Sequence, residues 1–275
     1  MLAFRALFCA GALCLAAPAF AADTFSSDWA AGLKSSARLI LGDAENGRFH
    51  AGIEIKLAPG AITYWRNPGD AGLPPTLNFD GSANLADARA FFPAPQRLNE
   101  GDGAAFGYDH SVILPLDVQA ADPGKPVTLA LKLDYAVCEK ICVPARAELR
   151  LRLAKDEGAS PYAAAVAKAR AEVPRPVDWA KLAGKATLAS AGDKAWRLCF
   201  ASPQPSARQL FVEAPPPWWF AVAREAASPQ DQSCFRVTLE QKPEDQNLPV
   251  AARFTVTGGD RAFETTATLG APASQ

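Results

Sequence analysis

Apolar and polar residues alternate along two neighbouring segments of the chain, in the pattern of strands with one buried face. Apolar side chains occupy every second position: Val127, Leu129, Leu131 and Leu133 in the first segment, and Ala147, Leu149, Leu151 and Leu153 in the second. A period of two is typical of a half-buried strand, and the connection between the segments is short. We therefore predict a β-hairpin, with Cys138 and Cys142 at opposite shoulders of its loop and close enough to form a disulfide.

Similar strand-like segments fill the chain up to about residue 155. They lie at 36–41, 48–57, 75–79, 110–118, 126–137 and 145–153. Turn signals such as Glu45-Asn46-Gly47 separate them, and this spacing predicts an antiparallel β-sandwich.

The second part of the chain begins with a predicted helix. Ser160 is a candidate cap, Pro161 lies in the first turn of a helix over 161–172, and the segment 173–176 contains two prolines that end it. Strand-like segments follow at 186–190, 195–200, 209–213, 218–223, 234–240, 250–256 and 262–268. We therefore predict an all-β protein with these parts: a leader at 1–21, a first β domain at 22–155, a helical connector at 156–180 and a second small β-sandwich domain at 181–275.

The amino terminus has the features of a cleaved signal peptide. Arg5 supplies a basic residue, residues 6–17 are almost wholly apolar, and Ala19-Phe20-Ala21 places small residues where signal peptidase requires them. The apolar run is shorter than the roughly 20 residues that a transmembrane helix needs. We predict cleavage after Ala21 and an exported, soluble mature protein.

Composition and charge exclude several classes of function. The formal net charge of −1 provides no basic field for nucleic acid or anionic lipid. The sequence has no glycine-rich phosphate loop, and its two histidines argue against a serine or cysteine hydrolase, which needs a positioned histidine base. No cofactor is predicted.

Cys138, Cys142, Cys199 and Cys234 remain after cleavage, because Cys9 and Cys14 lie in the leader. Four cysteines allow three pairings, and proximity along the chain favours Cys138 with Cys142 and Cys199 with Cys234. Closing the longer loop lowers the conformational entropy of the unfolded chain and thereby stabilises the fold by roughly 4 kcal/mol. Closing the shorter loop stabilises it by roughly 2 kcal/mol. We interpret Cys199–Cys234 as a structural disulfide. The Cys138–Cys142 bond is either exchangeable or an inert staple of the hairpin.

A metal site is the other interpretation of the cysteine pair. Zinc normally needs four ligands, or three and a water molecule, and the only imidazoles, His50 and His110, are far away in sequence. The single methionine is Met1, which excludes a methionine-rich copper site. Two thiolates alone are still able to hold copper(I), and that alternative remains open.

Three segments in one order resemble a known family. They are Tyr64–Pro74, the run Phe106-Gly107-Tyr108-Asp109 followed by Val112–Pro115, and Cys138–Pro144. Together they resemble the amino-terminal domain of the disulfide reductase DsbD, and more specifically the suppressor-of-copper-sensitivity branch, whose amino-terminal region continues into a second β domain.

This resemblance implies an immunoglobulin-like domain in the periplasm that carries out thiol–disulfide exchange. It implies that Cys142 forms the mixed disulfide and that Cys138 resolves it. The expected electron donor is a thioredoxin-like or membrane-embedded disulfide reductase on another polypeptide, and the acceptors are periplasmic thiol proteins. The alternative is a β-sandwich module of a metal-tolerance system that binds copper(I) or docks a partner without redox turnover.

The family also shields its cysteines with an aromatic cap. By resemblance, Phe106 or Tyr108, with Asp109 beside them, are the candidates for that cap, and Tyr64 and Trp65 are candidates for the lining of the same pocket. The alternative for Phe106 and Tyr108 is ordinary core or hairpin packing.

Overall fold

The computed structural model describes residues 23–270, apart from 71, 101–102, 156–157, 193, 202–207 and 227–230. The predicted leader at 1–21 lies outside the described residues. The described chain is nearly all β-structure, as predicted. None of its helices has the length and apolar character needed to cross a membrane.

The first part of the chain folds into two sheets. Its strands are β1 (Ala30–Gly32), β2 (Ser35–Glu45), β3 (Arg48–Leu57), β4 (Ile62–Gly69), β5 (Thr76–Asn78), β6 (Leu85–Ala90), β7 (Gln96–Glu100), β8 (Gly103–Tyr108), β9 (Val112–Ala120), β10 (Val127–Cys138) and β11 (Cys142–Leu153). One sheet has the order β1-β2-β3-β9-β6, and the other has the order β11-β10-β4-β8-β7 with β5 against β10. Paired strands are antiparallel throughout these two sheets.

The two sheets enclose one hydrophobic core. Inward-facing residues of β2, β3 and β9 pack with those of β10 and β11, including the predicted alternating leucines from Leu129 to Leu153. Burial of this apolar surface is the main favourable contribution to folding. The arrangement is consistent with the predicted immunoglobulin-like sandwich.

A single α-helix, α1 (Ala163–Ala171), is described between the two parts of the chain. It is shorter than the predicted 161–172, its N-cap is Tyr162 and not Ser160, and no side chain caps it. Its buried residues Val166 and Ala169 pack on the outer face of β2, β3 and β9, so the helix lies on the first sandwich. Its role as a connector stays a prediction.

The second part of the chain forms two four-stranded sheets. Its elements are β12 (Arg175–Pro176), a short 3₁₀-helix (Trp179–Leu182), β13 (Ala186–Ser190), β14 (Ala195–Ala201), β15 (Gln209–Glu213), β16 (Trp219–Arg224), β17 (Gln232–Gln241), β18 (Val250–Thr257) and β19 (Phe263–Leu269). The sheet orders are β12-β19-β18-β15 and β13-β14-β17-β16, and a separate aromatic-rich core lies between them. β12 pairs in parallel with β19 and thereby adds the segment after α1 to this sheet.

The two parts of the chain share a contact at β4 and β15. Phe211 of β15 is fully buried and belongs to the core of the first sandwich. Beside it, the Arg66 guanidinium donates to the carboxylates of Glu213 and Glu264. The Asn67 amide donates to the carbonyl oxygen of Val212 at 2.9 Å. These contacts attach the strand β4 to the second part of the chain. The boundaries predicted at 155 and 180 remain predictions.

Candidate functional site

Cys138 and Cys142 close the hairpin formed by β10 and β11. The two strands pair without interruption from Val127 and Leu153 to the last pair, Cys138 and Cys142, whose sulfurs form a disulfide. Three exposed residues, Glu139, Lys140 and Ile141, make the loop, and Ile141 is 74% exposed. The disulfide therefore lies at the tip of a regular hairpin, on one edge of the sandwich.

The two cysteines differ in their access to solvent. Cys138 is only 3% exposed and packs in a small cluster with Tyr64, Ala105 and Ala136 on the outer face of the sheet. Cys142 is an exposed residue. An incoming thiol therefore reaches Cys142 before Cys138. This asymmetry agrees with the assignment of Cys142 as the exchanging residue, which itself stays a prediction.

Tyr64 brings a hydroxyl group to both sulfurs. Its oxygen lies 2.7 Å from Sγ of Cys138 and 3.3 Å from Sγ of Cys142. Sulfurs in a disulfide carry no proton, so the tyrosine hydroxyl is the donor. The shorter distance is to Cys138, the sulfur that would hold negative charge if Cys142 were attacked.

The strand β4 holds Tyr64 in this place. Ile62 pairs with Cys138 of β10, and Tyr64 pairs with Gly107 of β8 on the other side. A Cβ atom on Gly107 would overlap the carbonyl oxygen of Thr63, so only glycine allows β8 to approach β4 this closely. The side chain of Tyr64 then projects on the outer face, towards the disulfide.

The segment after β4 covers the tyrosine ring. A Cβ atom on Gly72 would overlap both the Tyr64 ring and Cβ of Pro68. The backbone at Gly72 therefore lies directly on the ring, and no other residue fits there without a shift. The close contact restricts the ring to the orientation in which its hydroxyl meets the sulfurs.

Phe106 and Tyr108, the candidates for the cap, are not brought to the disulfide. Both side chains lie in the main core, because they flank Gly107 on β8 and alternate residues of a strand face opposite sides of the sheet. Tyr108 donates a hydrogen bond to the carbonyl oxygen of Pro93, and burial raises the pKa of Tyr108 well above its ordinary value. In this structure neither ring covers the sulfurs, and both follow the alternative of core packing.

Trp65 and Asp109 also lie away from the sulfurs. Trp65 is fully buried in the main core, beneath the guanidinium of Arg66. Asp109 is exposed at the end of β8, where a hydrogen bond from His110 holds the pKa of its carboxyl group below the ordinary value. Of the five predicted cap and pocket residues, the structure places only Tyr64 in contact with the disulfide.

The acidic residue next to Cys138 forms an ion pair at the surface. Glu139 follows Cys138 directly and would oppose a thiolate there, but its carboxylate pairs with Lys34 at 3.1 Å.

In the part of the chain that the structure describes, no group of three or more His, Cys, Asp and Glu side chains is arranged to hold a metal ion.

The second cysteine pair differs from the first in its surroundings. Cys199 of β14 and Cys234 of β17 form a disulfide between directly paired residues of two neighbouring strands. Both residues are almost wholly buried. No exposed sulfur is available for exchange there, which suits the predicted structural role.

Comparison with known proteins shows what this chain resembles. Residues 36–154 match the sequence model described as thiol:disulfide interchange protein DsbD, N-terminal. The crystal structure of the N-terminal periplasmic domain of ScsB from Proteus mirabilis aligns over 90% of this chain and 99% of its own, with a TM-score of 0.70 and 18% identity. These matches confirm the resemblance inferred from the sequence, and the second shows that the fold is shared.

A conserved domain protein from Bacillus anthracis aligns over 92% of this chain and 93% of its own at 8% identity, but the TM-score of 0.25 is too low to support an argument. No curated protein matches the sequence significantly.

Proposed function

We propose that the protein relays electrons by thiol–disulfide exchange through Cys138 and Cys142, since residues 36–154 match the sequence model of DsbD amino-terminal domains. The observation that carries the proposal is the asymmetry of the pair. An exposed Cys142 is bonded to a buried Cys138, and the Tyr64 hydroxyl donates to both sulfurs.

In the first step, an incoming thiolate attacks Sγ of Cys142. A mixed disulfide forms with Cys142, the Cys138–Cys142 bond breaks, and its electron pair stays on Sγ of Cys138. The Tyr64 hydroxyl, 2.7 Å away, stabilises this thiolate by a charge-assisted hydrogen bond. A leaving thiol with a lower pKa departs faster, so the tyrosine promotes the step.

In the second step, another thiolate of the same partner displaces Cys142 from the mixed disulfide. The partner becomes a disulfide, and the Cys138 and Cys142 pair gains two electrons and, on protonation, two protons. Transfer to an acceptor runs the same steps in reverse order: the Cys142 thiolate attacks the acceptor disulfide, and Cys138 resolves the mixed disulfide.

The compartment and the partners are part of the proposal. The predicted signal peptide and the similarity to a domain described as periplasmic support a location in the periplasm. We propose a thioredoxin-like or membrane-embedded disulfide reductase as the electron donor and periplasmic thiol proteins as acceptors. The exposed hairpin tip, with Ile141 at its end, is the surface that such a partner would approach.

Trapping of the mixed disulfide tests the assignment of roles. Cys138→Ser should accumulate a mixed disulfide through Cys142 when it is mixed with an oxidised thioredoxin-like protein, because the resolving thiol is absent. Cys142→Ser is the matched control and should accumulate little, since its remaining thiol is buried. Equal trapping by both variants would contradict the assignment.

The reduction potential of the Cys138 and Cys142 pair distinguishes an electron carrier from a structural disulfide. A potential above about −250 mV, measured in glutathione buffers with Cys199→Ser/Cys234→Ser as a control, indicates an exchangeable pair. A potential below about −300 mV indicates a structural disulfide. In that case copper(I) binding by the reduced protein is the next measurement.

A further inference from the structure

A cavity of about 740 Å³ lies where the first sandwich, the helix α1, the strand β12 and the β18–β19 hairpin meet. Its lining contains six arginines, Arg66, Arg89, Arg170, Arg175, Arg253 and Arg261. Glu264 is the one acidic residue among the described residues that line it. The lining therefore carries an excess of positive charge, although the whole chain has a formal net charge of −1.

Tertiary structure, and not a basic run in the sequence, assembles this cluster. Arg89 comes from β6 and Arg170 from α1. The parallel pairing of β12 with β19 places Arg175 opposite Phe263. Arg253 pairs across β18 and β19 with Thr266, and Arg261 lies in the turn between these strands.

Two of the six arginines already have anionic partners. Arg66 pairs with Glu213 and Glu264, and Arg170 pairs with Asp117. The only carboxylate of the described lining is therefore already engaged.

The other four arginines, Arg89, Arg175, Arg253 and Arg261, make no ion pair with any residue that the structure describes. Arg89 and Arg170 share the ring of Phe91, with their guanidinium carbons 5.0 Å and 3.8 Å from its centroid. The ring thereby holds two cations at one end of the cavity. Like charges gathered without counter-charges repel each other, and a bound anion removes that repulsion.

We propose that this cavity binds a small oxyanion of the phosphate or sulfate class that carries at least two negative charges. Guanidinium groups present paired N–H donors whose geometry fits such oxygens. The volume is within the range of small-molecule sites. This binding function goes beyond thiol–disulfide exchange and does not depend on it.

Titration calorimetry of the whole protein with pyrophosphate, at constant ionic strength, tests the proposal. We expect saturable binding that Arg253→Gln/Arg261→Gln weakens by about tenfold or more, since charge-assisted hydrogen bonds are lost. Lys132→Gln/Arg150→Gln is the matched control. It removes the same charge from exposed positions on β10 and β11 and should leave the affinity within about twofold.

The absence of saturable binding, an equal loss in the control pair, or binding to phosphatidylglycerol vesicles but not to pyrophosphate would each overturn the proposal.

Discussion

The rings of Phe106 and Phe211 meet edge to face, with their centroids 4.9 Å apart. Phe106 belongs to the first sandwich and Phe211 to the strand β15 of the second part, yet both lie in one core. Trp65, the neighbour of Tyr64 in sequence, packs on the same Phe211 ring at 5.8 Å. The second part of the chain therefore supports the strand that carries the tyrosine of the candidate site.

Phe211→Ala should destabilise the protein, because it opens a cavity between Trp65 and Phe106. We expect a loss of about 3–5 kcal/mol in the free energy of unfolding, measured by denaturant titration. Phe263→Ala is the control, since Phe263 is only partly buried and packs on Phe200 within the second part. A loss no larger than that of the control would show that the shared core contributes little.

Tyr64→Phe should slow disulfide exchange and leave the fold intact. Without the hydroxyl, the Cys138 thiolate loses its hydrogen bond, and we expect reduction by a small dithiol to be about tenfold slower. Tyr135→Phe is a matched control, because Tyr135 lies on β10 but its hydroxyl contacts Ser35 at 2.8 Å and not the sulfurs.

The same pair of tyrosine variants has a second readout in the Cys142→Ser background. Tyr64→Phe should raise the pKa of the Cys138 thiol, whereas Tyr135→Phe should not change it. The ultraviolet absorbance of the thiolate as a function of pH measures this pKa. Equal exchange rates for wild type and Tyr64→Phe would remove the tyrosine from the mechanism.

Gly72→Ala should disturb the site through the Tyr64 ring. The added methyl group overlaps the ring and Pro68, so the segment or the ring must shift, at a cost of about 1–3 kcal/mol in stability. The exchange rate should change with it, because the hydroxyl leaves its place. Gly270→Ala, where a Cβ atom meets nothing within 4 Å, should change neither quantity.

Tyr108 should make the protein sensitive to alkaline pH. Burial raises its pKa in the folded state, so the stability that its neutral form contributes is present below about pH 10 and is lost as the pH rises through the folded pKa. At neutral pH, Tyr108→Phe should lower the free energy of unfolding by about 1 kcal/mol, because the hydrogen bond to the carbonyl oxygen of Pro93 is lost. The difference between wild type and variant should shrink above about pH 10. A constant difference at all pH values would contradict this expectation.

Phe106→Ala distinguishes a cap from a core residue. Since Phe106 is buried between Phe211 and the guanidinium of Arg97, we expect lower stability and no faster reaction of the reduced cysteines with a bulky thiol reagent under fully native conditions. Faster reaction at unchanged stability would instead restore Phe106 to the cap proposed from the family resemblance.

The local sequence determined much of this protein. Strands predicted at 48–57, 186–190 and 209–213 have the same bounds in the structure. The alternation on either side of Cys138 and Cys142 predicted the hairpin, because the period of two is a property of each strand alone. Spacing along the chain also favoured the two cysteine pairings that the structure contains.

The strand β4 could not be found in this way. Its sequence ends in Asn67-Pro68-Gly69, which is a turn signal, and its pairing with β8 is irregular between Tyr64 and Gly69. Which of two adjacent rings meets the sulfurs depends on that register. A shift of one residue would exchange Tyr64 for Trp65.

Only the tertiary structure decided the contacts between distant segments. Phe211 enters the core of the first sandwich, and arginines from β6, α1, β12 and β18 converge on one cavity, because the packing of complete sheets brings them together. The periodicity of a single segment does not predict such contacts, because each contact depends on where a whole strand or helix lies in the fold. The sequence by itself determined the strands and the cysteine hairpin, and the fold decided which side chains surround them.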